Sequence, residues 1–206
     1  MQTLGIILSI AAAVLNIYGF WIYNKSVYTS KNDPNATTWG VWTALGLINF
    51  FSFLRATNDL VLTFQFMTGT LGCFVTFVFC WVTGKFNWPN KTETKILAIS
   101  VISLAVLLFG NALVSNYVIL FAYTISWWVT ARKVWKDPSV ETPKPWLIWS
   151  VVFWIQSNNA VQRYDGDWIA LINIGWLLVT HFTIAVLSVR WWKRRSEITC
   201  SCQICT

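Results

Sequence analysis

Asn49 and Ser52 stand three positions apart, and Trp42 stands seven before Asn49. On a helix that spacing puts an amide, a hydroxyl and an indole on one face. The set recurs as Trp149, Gln156 and Asn159, with Asn158 alongside. An amide in hydrocarbon has to find hydrogen-bond partners, because an unsatisfied polar group costs several kcal/mol there. Two arrangements meet that demand. One is glue between helices, worth roughly 0.6–2 kcal/mol per contact. The other is a polar cavity in which amides and hydroxyls hold a neutral solute while indole faces stack on it. Gln65 and Asn173 fall at similar depth on their own helices and would complete a ring around a midplane site. Trp154 and Trp176 are the other deep tryptophans. His181, the sole histidine, reads either as packed against a neighbouring helix or as a pathway-lining, proton-sensing group.

Little else in the chain carries chemistry. The eight carboxylates, Asp33, Asp59, Glu93, Asp137, Glu141, Asp165, Asp167 and Glu197, lie in loops, at helix ends or in the tail. Coupling to protons or sodium usually uses an ionisable group inside the membrane, so the expectation is facilitated diffusion. No metalloprotease, nucleophile-elbow or paired-acid signature is present, and the expectation is no enzyme, no cofactor and no metal. Cys73 and Cys80 read as small core hydrophobes. Cys200, Cys202 and Cys205 lack a fourth ligand for a metal; beside a basic run they are open to acylation, or simply belong to a tail.

The elements that position these residues come in a repeat. Residues 37–53, TTWGVWTALGLINFFSF, answer residues 144–160, KPWLIWSVVFWIQSNNA, at an offset of 107. That register pairs Trp39 with Trp146, Trp42 with Trp149, Asn49 with Gln156 and Ser52 with Asn159. Run backwards without a gap, it pairs Trp21 with Trp128, Lys25 with Arg132, Val27 with Val134 and Tyr28 with Trp135. One inserted residue then pairs Gln65 with Asn173 and Asp59 with Asp167. A repeat held over about forty positions reads as a duplicated unit.

The 206 residues are 56% hydrophobic and 11% charged, against about 25% charged in soluble domains. Seven runs are long and apolar enough to span a membrane: about 4–23, 38–54, 61–84, 96–110, 112–131, 146–162 and 168–190. The first lacks a basic leader and reads as a retained span. The uncharged stretch from Ile96 to Val129 is too long for one helix and is split at Gly110-Asn111. Charge placement supports the count. With seven spans and an outer N-terminus, 13 of the 15 basic residues fall inside, leaving Arg55 and Arg163 outside. Six spans would scatter the basic clusters over both sides. The same distribution removes nucleic acid as the reason for the net charge of +7. Asn24, Asn35 and Asn90 match the glycosylation pattern but fall on the inner side. Most tryptophans, Trp39 and Trp146 among them, read as interfacial anchors. Gly69-Thr70-Leu71-Gly72 reads as a site of close helix approach.

Three spans, a linking span and three more give two repeats in parallel orientation. This plan, with a Trp-rich motif opening the second helix of each repeat, resembles the SWEET/PQ-loop superfamily, whose wider group includes vitamin transporters of the PnuC type. The text from Pro34 to Thr43 also looks like bacterial seven-span proteins with an ATW-x-x-W-T signature. The likeness covers about residues 4–192. It implies alternating access between two bundles and an amide in the third helix of each repeat. SWEET proteins carry hinge prolines in the first two helices of each repeat. Here Pro34 and Pro138 lie in loops, Pro145 sits at the mouth of helix six, and the PQ dipeptide is absent.

The expectation is an all-α membrane protein with a first repeat at 1–86, a linker helix at 87–110, a second repeat at 111–195 and a flexible cytoplasmic tail at 196–206. Its function is expected to be facilitated movement of a small neutral or weakly charged polar solute, a sugar or a vitamin- or nucleoside-like molecule. Substrate-binding residues are expected at Trp42, Asn49, Ser52, Gln65, Trp149, Gln156, Asn159, Asn173 and Trp176. The plasma (inner) membrane is its expected place, the bilayer and the solute its partners; self-association into a homo-oligomer is left open. The rival expectation is a receptor or scaffold that keeps the fold without transport.

Overall fold

In the computed structural model the described residues are 2–29, 32, 34, 36–163 and 168–203, with side chains described for 3–190 of these. They form seven α-helices: α1 Gln2–Tyr28, α2 Ala36–Thr57, α3 Leu60–Val82, α4 Lys91–Phe109, α5 Ala112–Lys136, α6 Pro143–Gln162 and α7 Trp168–Gln203. A single 3₁₀ turn covers Pro138–Val140. Five of the seven, α1, α3, α4, α5 and α7, are long and apolar enough to cross a membrane. The other two, α2 and α6, are also long enough, and what sets them apart is their load of amides and hydroxyls, with two prolines in α6.

Caps explain where the helices start and stop. The run from Ile96 to Val129 breaks at Gly110, and Asn111 then caps α5 by accepting from Leu113 N and Val114 N. The fourth helix begins earlier than its apolar run. The Asn90 side chain accepts from Glu93 N while Glu93 accepts from Asn90 N, a capping box that adds a turn before Ile96. Between α2 and α3, Asn58 takes φ +52°, which asparagine tolerates better than most residues. Asp59 next caps α3 through Val61 N and Leu62 N. Helix α7 continues to Gln203, so the stretch read as a tail is helical that far. The expectations placed on Asp33, Asn35, Asp165, Asp167 and Cys205, and on the side chains from Trp191 to Gln203, lie outside the described residues.

Packing pairs the helices reciprocally. Helix α1 packs against α6 and α3, and α5 packs against α2 and α7. Helix α2 also pairs with α3 and α6 with α7, while α4 lies against α5 and α2. Small residues permit the closest approaches. A Cβ on Gly72 would sit 2.2 Å from the Phe20 ring, and one on Gly46 would sit 2.5 Å from Thr70 Oγ1. Apolar side chains on the outer surface, such as Ile7, Phe109 and Val179, are exposed, as expected for helices that face lipid.

Candidate functional site

The amides expected to bind substrate are all buried, whereas Asn158 beside them is exposed. Asn49, Gln65, Gln156, Asn159 and Asn173 are 2% exposed or less, as is Ser52. They fall into three environments. In the first, Asn49 joins Asn116 and Asn173 in a closed triad. Asn116 Nδ2 donates to Asn49 Oδ1 at 2.8 Å and to Ser52 Oγ at 3.1 Å. Asn173 Nδ2 donates to Asn49 Oδ1 at 3.1 Å and to Asn116 Oδ1 at 2.9 Å. In the second, Asn159 Nδ2 donates to Gly5 O at 3.1 Å and to Ser9 Oγ at 2.9 Å, and Gln156 Nε2 donates to Ser9 Oγ at 3.4 Å. The third holds Gln65 alone: neither its Nε2 nor its Oε1 has a partner.

Among α1, α2, α3, α5, α6 and α7 lies a cavity of about 90 Å³, far above the ~10–15 Å³ that one water needs. Trp42, Asn49, Gln65, Trp149, Trp176 and His181 line it, and Ser52, Gln156, Asn159 and Asn173 do not. Those four serve contacts between helices instead. The spacing gave the polar face correctly, but Gln156 and Asn159 are turned toward α1. No Asp, Glu, Lys or Arg lines the cavity. Sequence reasoning missed Asn16, Ser9 and Asn116. Asn16 also lines the cavity and donates to Thr68 Oγ1 at 3.1 Å. The repeat register itself could have found the other two, since Asn116 follows Ser9 by 107 positions.

The tryptophans need two corrections. Trp39 and Trp146, read as interfacial anchors, are 4% and 2% exposed and pack inward. Trp146 meets Trp42 edge-on at 6.1 Å and Trp149 at 5.2 Å, and burying ring against ring outweighs placing an indole at an interface. Trp154, read as deep and available for stacking, is 60% exposed because it stands five residues from Trp149, off the inward face. His181 sits under the same cluster, its ring centroid 4.6 Å from that of Phe153 and 5.5 Å from that of Trp146. Its Nδ1 lies 2.7 Å from Leu177 O; a carbonyl can only accept, so Nδ1 carries the proton.

Trp39, Trp42 and Trp146 also form a wall of a second cavity of about 90 Å³, nearer the basic ends of the helices. Tyr23, Glu93, Lys133 and Glu141 line this vestibule. Glu141 accepts from Tyr23 Oη at 3.3 Å and from Trp146 Nε1 at 3.1 Å. Burial pushes its carboxyl up to about 7, against the opposing pull of Trp146, Lys133 and Tyr23. Exposed Asp137 behaves oppositely: the hydroxyl and N–H of Ser139 hold it below its ordinary range. At the far end of the bundle, Arg163 Nε meets Asp59 Oδ2 at 2.7 Å, tying α6 to α3.

No family model, curated protein or solved structure matches this chain.

Proposed function

We propose that the chain is a SWEET-like facilitator that moves a small, neutral or weakly charged polar solute across a membrane, the plasma (inner) membrane in our reading. The observation that carries the reading is the uncharged cavity between the helix sets, walled by indoles from both and by the amides of Asn16, Asn49 and Gln65. Reciprocal packing supports two three-helix repeats: exchanging α1, α2 and α3 for α5, α6 and α7 returns the same pairs. In this reading all seven helices cross the bilayer, with α2 and α6 screened from lipid by the five more apolar ones, and α4 joins the repeats. The basic ends face the cytoplasm and the N-terminus faces out.

Access alternates as one bundle rocks on the other. The Asp59–Arg163 pair holds the outer end shut, and the Trp39–Trp42–Trp146 partition separates the solute from the inner vestibule. Absence of charge in the cavity favours downhill movement without ion coupling. The test is uptake into proteoliposomes of a panel of labelled neutral solutes. Saturable, protein-dependent flux that ignores proton and sodium gradients is expected; a flat panel sinks the reading.

A second reading, a non-transporting receptor or scaffold, draws on two observations. The Asn49–Asn116–Asn173 triad is paired as helix glue would be, and no proline interrupts α1, α2 or α5.

A further inference from the structure

The two halves of the cavity are built from matching positions, and they differ in which polar groups remain free. Trp42 and Trp149 correspond in the repeat, as do Ser126 and Gly19, both at the offset of 107. Trp42 Nε1 donates to Ser126 Oγ at 2.5 Å. Gly19 has no side chain to offer, and Trp149 Nε1 is buried without a partner. Gln65 corresponds to Asn173, one residue out of register. Asn173 spends its amide nitrogen on the triad, whereas both ends of the Gln65 amide are free and the residue is 2% exposed. Gln65 and Trp149 both line the cavity. Among the residues that line the cavity, the unpartnered buried polar groups therefore lie on α3 and α6, while Asn49 is held by Asn116 and Asn173.

A buried amide with an unmet donor and an unmet acceptor costs free energy until something pairs with both. The partner that satisfies it in one plane carries a donor and an acceptor side by side, as glutamine does with the edge of a purine. The remaining walls choose between solutes. A hexose has a hydroxyl on nearly every carbon, and each would need a partner in a space walled chiefly by Phe20, Trp39, Tyr123, Phe153 and Trp176. Of the three hydroxyls there, Thr70 already donates to Phe66 O and Thr180 to Leu177 O, which leaves that of Tyr123. A flat ring stacks on those aromatic faces and leaves few polar atoms unmet. Resting on the reading of this cavity as a solute site, we propose that its ligand is a flat, uncharged aromatic or heteroaromatic molecule whose carboxamide or lactam edge pairs with Gln65, with Trp149 Nε1 donating to a further acceptor.

The full chain in nanodiscs is titrated calorimetrically with benzamide and uracil, with their N-methylated forms N,N-dimethylbenzamide and 1,3-dimethyluracil, and with glucose. The expected result is binding of the unmethylated pair, at least tenfold weaker binding of the methylated pair, and none of glucose. Gln65→Leu should weaken benzamide at least tenfold while melting no lower than the parent, because it removes an unpartnered amide. Trp149→Phe keeps an aromatic face and should lose only part of the affinity. Should Gln65→Leu fail to purify, the methylated and unmethylated probes alone decide. Equal binding of both forms, or binding of glucose in place of the amides, overturns the inference and leaves the facilitator standing. Absence of binding by every probe, with no flux of any solute into proteoliposomes, overturns both.

Discussion

The Ser9 hydroxyl accepts from Gln156 and Asn159 on α6, and Asn116, 107 positions later, donates to Asn49 and Ser52 on α2. Ser9 therefore joins α1 to α6 and Asn116 joins α5 to α2, through residues 107 positions apart. The change from hydroxyl to amide accounts for the asymmetry of the cavity. Asn116 has a carbonyl to spare and captures Asn173 with it. Ser9 hands its proton to Val61 O at 2.9 Å, and Gln65 is left unpaired.

Asn116→Leu removes three hydrogen bonds in one step. At about 0.6 kcal/mol each in a membrane, the loss comes to ~2 kcal/mol. Ser9→Ala on the opposite side also removes three and should cost about as much, ~2 kcal/mol by the same reasoning. Reversible unfolding in mixed micelles measures both. A cost near zero for Asn116→Leu would contradict the triad.

The Asp59–Arg163 tie is measurable as a coupling. Arg163→Gln leaves the Asp59 cap on α3 intact, because Oδ1 makes the cap and Oδ2 makes the ion pair. Both side chains keep some solvent access, 24% and 17%, so the pair is screened. A double-mutant cycle with Asp59→Asn should return about 1 kcal/mol. Releasing the tie should also change the rate of solute entry from the outer face in proteoliposomes. A coupling near zero with unchanged entry removes the pair from the gating scheme.

Depth along a helix was legible in this chain, and rotation about the helix axis only partly so. The amides at Asn49, Gln65, Gln156, Asn159 and Asn173 were placed inside by their spacing, and inside is where they lie. Which neighbour each one faces depends on how two helices roll against each other. That is set by Gly19, Gly46 and Gly72 meeting particular rings and hydroxyls, which no single helix reveals. The same limit explains Trp39 and Trp146. Their positions near helix ends were read correctly, yet the contact that buries them comes from other segments. The start of α4 was legible in principle, through Asn90 and Glu93, and was masked by the more conspicuous apolar run.

Glu141 should impose a pH dependence on stability. Its folded carboxyl titrates at about 7 rather than 4.5, so ionisation is disfavoured in the folded state. The stability tied to its neutral form is fully present below about pH 4.5 and is lost as pH rises through about 7. Allowing for its partial exposure, the span is ~2 kcal/mol. Glu141→Gln removes the titration, and glutamine can still accept from Trp146 and donate to Tyr23. The difference in melting temperature between parent and variant should therefore widen from pH 4.5 to pH 7.5, with the variant higher at the alkaline end. A constant difference across that range would show that Glu141 does not titrate there.

The glycines of α3 make a matched pair. A Cβ on Gly72 would lie 2.2 Å from two atoms of the Phe20 ring, and one on Gly69 would lie 3.7 Å from Asn16 Nδ2. The first separation is impossible without movement, and the second is ordinary contact. Gly72→Ala should cost 1–3 kcal/mol, as overpacking does. Because Phe20 lines the cavity, the variant should also weaken solute binding. Gly69→Ala should be neutral or slightly stabilising, since alanine favours the helix by roughly 0.5–1 kcal/mol over glycine. Unfolding of the two variants side by side decides the matter. Equal effects would mean that α1 and α3 do not approach each other through Gly72, and with that contact would go the account of how Phe20 is held against the site.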